Sequence, residues 1–395
     1  MLESILIRNQ EVGPIGDQID LGSLAEALLY YGEVRILAKH HVLEELIRKI
    51  GPDSLIRLLE TGIFKLIYEL DMMGIHTNAS GTPNALHSPV VFHALKHEPD
   101  VALPELFHSV TGRSGKGRRL SKKFASLIET VNREPGLIEA FNSDIDNGEY
   151  IKKTVTELIS IYAPEYTIPR SFIFDIDKRG NEFKIVTNLD FEELNIIYHQ
   201  RISPKHSSIT DAYIMSHILT ARENAMLCAK YKSDIFIDSV NMRMLELCFD
   251  SIIQRTKHSK KNIETFQDFV FDDSRAVREA VNSGKLEFTE VINLVEKSIK
   301  FKEWVSERPS DMELVKEYFK EVTKTSSIDK LPTKIAKWSF FTGAGLAIGA
   351  TLGSGAIGTG LGVLTSVVDA FVFDNIVKGW KPSSFINTVK SALVK

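Results

Sequence analysis

Cysteine is almost absent: Cys228 and Cys248 are the only two in 395 residues. Two thiols cannot build a disulfide framework, and they leave no all-cysteine zinc site. A surplus of charge is missing too. Forty-eight basic residues stand against 52 acidic ones, a formal charge of −4, which excludes nucleic-acid binding by bulk charge. The opening MLESILIRNQEVG carries an acid at position 3 and no apolar run, so a secretory leader is not expected and the chain reads as cytoplasmic. No G-x-S-x-G or H-E-x-x-H occurs, and no G-x-G-x-x-G sits in a strand–helix setting. Catalytic residues stay unassigned, and no cofactor is implied.

What is present is enough for several cores. The chain is 43% hydrophobic and 25% charged, the composition of a globular protein of two or three domains rather than of a disordered one. Residues 1–135 alternate between strand-like and helix-like patterns. Glu33 to Leu37 alternates polar and apolar; helical runs follow from Val42 to Lys49 and from Ser54 to Glu60, stopped by Gly51-Pro52 and Gly62. Phe64 to Leu70 and Pro89 to Leu95 predict further strands. Residues 111–123, TGRSGKGRRLSKK, read as a basic loop, with a helix expected through Phe124, Leu127, Ile128 and Val131.

Residues 136–255 predict a second mixed region. Helices are expected at 151–162, 190–198 and 209–231, and strands at 171–176, 183–186 and 235–237. Lys178-Arg179-Gly180-Asn181 would turn the first two strands into a hairpin. Residues 256–333 read as helical, with Phe288, Val291, Ile292, Val295 and Ile299 on one face. Ser310 and Glu313 form a capping-box pattern, and 326–332 a linker.

Residues 338–368 are 31 in a row without Asp, Glu, Lys, Arg or His, more than the ~20 that a helix needs to cross a bilayer. Eight of them are glycines. Gly345, Gly349 and Gly353 are spaced by four, as are Gly358 and Gly362, which on a helix makes a nearly bare stripe for close packing in lipid. In a water-exposed helix each glycine would cost about 1 kcal/mol relative to alanine. Cations flank both ends, which suits a hairpin with both ends on one side, turning at 353–355. Lys378, Trp380 and Lys381 are the expected interface anchors. Only 12 of the 31 are Leu, Ile, Val, Phe or Trp, so insertion is expected to be conditional, after self-assembly. The alternative is a helical hairpin or glycine-rich loop packed on the protein's own core.

The segment Leu331-Pro332-Thr333-Lys334, the glycine-rich stretch, Asp369-Ala370-Phe371 and Val377-Lys378-Gly379-Trp380-Lys381-Pro382 together resemble the end of a family of uncharacterised bacterial proteins. Phe301-Lys302-Glu303-Trp304 and Val315-Lys316-Glu317-Tyr318 are similar too. The resemblance covers roughly the last 100 residues and the rest only in outline, and it implies no activity and no active site. Its architecture is similar to effectors of bacterial anti-phage defence, which would imply a phage-derived or regulatory trigger.

Three further constellations have plain structural readings beside their chemical ones. His76, His87, His93, His97 and His108 cluster within 33 residues, and His93 with His97 has metal-ligand spacing on a helix; a strand there would set them apart, so no metal is expected. Arg113, Lys116, Arg118 and Arg119, with Lys122 and Lys123, form a candidate anion-binding run for nucleotide, nucleic acid or anionic lipid. Asp175 and Asp177 share a strand face and could hold a divalent cation. Cys228 and Cys248 are expected in helical cores.

The expected fold is α/β (α+β) over the N-terminal and middle regions, 1–135 and 136–255, then a mainly helical region and linker, 256–333, and a glycine-rich hydrophobic helical hairpin with a basic tail, 334–395. The expected function is a non-enzymatic, homo-oligomeric effector, cytoplasmic and conditionally membrane-associated, with lipid as partner. The alternatives are a metal-dependent nuclease or nucleotide-processing enzyme with a structural tail, and a soluble oligomeric scaffold.

Overall fold

The computed structural model describes residues 2–8, 19–78, 85–93, 98–131, 135–201, 208–271, 275–308, 314–323 and 382–394. These fold as a mixed α/β region followed by a helical one, as the patterning predicts. Contacts divide the chain into two compact units: Ser4–Ile19 with Glu33–Lys257, and Met1–Glu3 with Asp20–Gly32 and His258–Lys395.

The first unit is built on a parallel sheet of β1 (Ser4–Arg8), β2 (Glu33–Ala38), β3 (Phe64–Glu69), β6 (Glu129–Val131) and β9 (Asp234–Phe236), in the order β6-β3-β2-β1-β9. Ile5, Leu6 and Ile7, or Ile36, Leu37 and Ala38, are buried in succession, the mark of strands covered on both faces. The helices α2 (His40–Ile50) and α3 (Pro52–Glu60) join β2 to β3. Val42, Leu43, Leu46, Ile47 and Ile50 bury one face of α2, and Gly51 ends it at φ +85 while Pro52 opens α3.

A second sheet is antiparallel, in the order β4-β5-β8-β7: β4 (Asp71–Asn78), β5 (Leu86–His93), β8 (Glu182–Thr187) and β7 (Phe174–Arg179). Arg179 pairs with Glu182, so the expected hairpin turns on two residues, with Gly180 at φ +65 in the first. Around the sheets lie α4 (Pro99–Thr111), α5 (Ser114–Ala125), α6 (Leu137–Ile145), α7 (Gly148–Tyr162), α8 (Phe191–Arg201), α9 (Asp211–Tyr231) and α10 (Ser239–Cys248). Phe141, Val155, Leu158, Phe174, Phe183, Leu194, Met215 and Ile218 belong to one core.

Several boundaries differ from the sequence reading. Strands β1 and β4 carry no turn signal strong enough to announce them. The basic stretch read as a loop is helical from Ser114. Gly112, at φ +65, is the left-handed cap of α4, while Gly117 lies where α5 crosses α4. A Cβ at Gly117 would stand 2.9 Å from the His108 backbone nitrogen, so the glycine permits a close helix crossing that offsets its poor helix propensity. The helix expected through Leu127 and Val131 is instead the end of α5, a turn and strand β6.

The second unit holds α1 (Leu21–Tyr30), the part of α11 (Asp250–Phe271) from His258, α12 (Ala276–Asn282), α13 (Phe288–Ser306), α14 (Leu314–Thr323) and α15 (Pro382–Val394). Tyr30, Phe266, Phe301 and Phe385 meet ring to ring, with Phe301 and Phe385 centroids 4.9 Å apart. The basic tail expected after the glycine-rich stretch therefore ends in a packed helix, with Phe385, Ile386 and Val389 buried. Among the described residues no helix is long and apolar enough to cross a membrane.

Candidate functional site

Arg8 ends β1, the strand at which the parallel sheet changes direction: β2 and β3 follow on one side, and β9 returns on the other. Open parallel sheets bind ligands outside the carboxyl ends of their strands at such a switch point. Arg8 is only 5% exposed. One terminal nitrogen, Nη2, lies 3.1 Å from Glu69 Oε1 at the end of β3 and 2.5 Å from Glu223 Oε2 on α9. The other, Nη1, donates to Asn224 Oδ1 at 2.9 Å. Two sheet strands and one helix thus converge on a single guanidinium.

The electrostatics follow from burial. Desolvation opposes the charge on Arg8, but Glu223 and Glu69 more than restore it, and its pKa stands above the ordinary value. Burial holds the Glu69 carboxyl above its usual range; Arg8 pulls it down, Glu223 adds like-charge repulsion, and Lys39 opposes. Asn224 is fully buried, and its Nδ2 donates to nothing among the described residues. A buried amide donor left open is satisfied by an oxygen from water or ligand. Beside this centre, His40 Nδ1 and the Tyr68 hydroxyl are 3.3 Å apart at the same edge, and burial pushes the Tyr68 hydroxyl up to about 12.

A second polar chain begins just past β9. Asp238 caps α10, accepting from Val240 and Asn241 backbone N–H groups and from Asn241 Nδ2 at 2.6 Å. Asn241 bonds His217, and His217 Nε2 is 3.3 Å from the Tyr162 hydroxyl. Tyr213 donates to Tyr162 at 3.1 Å and bonds Tyr198. Burial lowers the His217 pKa to about 4, so it is neutral at pH 7, with Asn241 and Asp238 pulling the other way. His217 and Asn224 stand seven residues apart on α9, two turns along one face. Neither centre was found from sequence, because their members come from separate elements and share no spacing.

The residues singled out from sequence fall as follows. Gly345, Gly349, Gly353, Gly358 and Gly362, and Lys378, Trp380 and Lys381, lie outside the described residues. Arg113 caps α5, while Lys116, Arg118 and Arg119 lie within it, all exposed. Lys116 meets Asp53 at 2.8 Å and Lys123 meets Glu60 at 2.5 Å, two ion pairs seven residues apart on both α3 and α5. Asp175 faces Lys152 at 3.3 Å and Asp177 faces Arg179 at 3.1 Å, so each carboxylate is exposed and already paired.

The histidines disperse. His76 is exposed and bonded to Asn78, and His108 is exposed on α4. His87 is fully buried, bridging Thr77 and the α9 carboxylate Asp211, whose pKa it lowers against the effect of burial. The backbone of His93 ends β5, and His97 lies outside the described residues. No group of three metal-ligating side chains occurs among the described residues. Cys228 is buried in α9 and Cys248 half-buried at the end of α10; burial pushes both thiols up, to about 12 and about 11.

No family model, curated protein or solved structure matches the chain.

Proposed function

We propose that this chain is a non-enzymatic, self-associating effector that disturbs a membrane through residues 338–368, with the α/β unit as its sensing part. The observation that carries this reading is the combination of 31 uncharged, glycine-rich residues with the anchoring on either side of them. Helix α14 precedes the stretch and α15 follows it, and the two pack together in one helical unit. A segment that leaves and re-enters the same folded unit must cross a bilayer an even number of times or not at all. That supports a hairpin over a single span, in line with cations on both flanks.

The glycine stripe would then supply the assembly contacts, as small residues let helix backbones approach in lipid. The trigger would act at the sheet edge around Arg8, where an open amide donor lies beside a guanidinium already paired with two carboxylates. The C-terminal part resembles a family of uncharacterised bacterial proteins whose architecture is similar to defence effectors, which fits such a triggered design. The nuclease alternative draws no support from Asp175 and Asp177, whose charges are each met by a cation.

The test is dye release from lipid vesicles by the full chain and by a Gly349→Leu, Gly353→Leu variant. The reading predicts release by the full chain and its loss in the variant. Equal release by both would remove the packing role of the glycines, and no release by the full chain would remove the reading itself.

A further inference from the structure

We infer that the exposed face of α5 is a docking surface for an anionic lipid bilayer. This rests on the membrane reading above and names the surface by which the α/β unit would meet the same membrane. Gly117, Leu120, Ser121 and Phe124 are the buried side of the helix. At 100° per residue, Arg118, Arg119 and Lys122 share the opposite arc, and Arg113 stands exposed at the cap. All four are exposed, and their side chains make no ion pair or hydrogen bond among the described residues. Lys116 and Lys123, by contrast, are tied to Asp53 and Glu60 on α3. Across α3 and α5 together, seven cations stand against those two acids. The neighbouring α4 adds exposed Asp100 and Glu105, neither of them bonded to α5.

Helix stability does not explain this placement. The positive end of a helix dipole favours acids, yet the cap of α5 is Arg113 and its first turn holds Lys116 and no acid. The face is also held firmly, since Gly117 seats α5 on α4 and the two ion pairs register it on α3. Such a fixed array of point charges matches a sheet of lipid phosphates. Nucleic acid is the weaker match. The exposed side of α5 has no aromatic ring to stack a base and no Asn or Gln to read one.

The experiment is vesicle co-sedimentation of the full chain on phosphatidylcholine alone and on phosphatidylcholine with phosphatidylglycerol, with duplex DNA as a parallel probe. The variant is Arg118→Gln, Arg119→Gln, Lys122→Gln, which touches only exposed side chains and leaves both ion pairs to α3 in place. Each cation near an anionic surface is worth about fivefold in binding, so the variant should bind phosphatidylglycerol vesicles about a hundredfold more weakly. Binding should also weaken with added salt. Equal binding to both vesicles, unchanged in the variant, would overturn this inference and leave the membrane reading standing. Binding to neither vesicle would overturn both. Retention on duplex DNA with none on phosphatidylglycerol would overturn it in favour of nucleic acid.

Discussion

Arg8 in the α/β unit and Lys302 in the helical unit are buried alike, 5% and 6% exposed, but in opposite surroundings. Arg8 has two carboxylates and an amide oxygen within reach. Lys302, on α13, has no partner for its Nζ among the described residues, and burial alone lowers its pKa to about 7. A guanidinium cannot shed its proton, so its burial demands anions brought from β3 and α9. An amine can, so it tolerates a site without them by becoming neutral. The first arrangement makes a charged centre that organises three elements; the second makes a latent charge in an apolar helical core.

Breaking the first side of that comparison should have the largest effect. Arg8→Met removes the guanidinium that Glu69 and Glu223 share, and stability to urea should fall by about 5 kcal/mol. Adding Glu69→Gln and Glu223→Gln should return part of the loss. A fall below about 1 kcal/mol would mean that the centre does not hold the strands together.

Lys302→Met should act in the opposite direction. Between about pH 7 and 10.5 the unfolded chain holds a proton on Lys302 that the folded chain lacks. Stability therefore rises with pH across that window, and the full penalty applies below it. Removing the amine should stabilise the protein by about 4 kcal/mol at pH 7, a gain that shrinks as pH approaches 10.5. Urea midpoints from pH 7 to 10 measure it; no gain at pH 7 would place an anion against Lys302.

His217 sharpens the comparison within the α/β unit. Its folded pKa of about 4 lies below the ordinary 6.5, so the unfolded chain binds the extra proton between those values. The wild-type chain should lose about 3 kcal/mol through this group as pH falls from 6.5 to 4. His217→Gln keeps a hydrogen-bonding side chain and should flatten that part of the pH profile, measured by thermal melts. An unchanged acid slope would mean that His217 is not desolvated in the folded state.

How much of this was legible in the sequence depended on whether the pattern was local. Alternation at Glu33 to Leu37, the helical spacing from Val42 to Lys49 and the Gly180-Asn181 turn each belong to one element, and β2, α2 and the β7–β8 hairpin formed where expected. The basic helix α5 is hidden because Gly115, Gly117 and six cations mimic a loop, while the crossing with α4 and the ion pairs to α3 that hold it lie between elements. The packing of α15 was hidden for a related reason: Phe385 finds Phe301 across 84 residues. The Arg8 centre was the least legible. Residues 8, 69, 223 and 224 meet only once the strand order is known, and Arg8 ends a strand that the sequence does not announce.

The packing of α15 also decides how the central claim should be tested. Truncation after residue 333 would strip Phe385, Ile386 and Val389 from the helical unit, so the better partner is a chain in which 338–368 is replaced by a flexible glycine–serine linker. The measurement is the fraction of each protein that stays in cell membranes after an alkaline carbonate wash. The account predicts that the full chain resists the wash and that the linker chain is released. Complete release of the full chain, to the same extent as the linker chain, would contradict it.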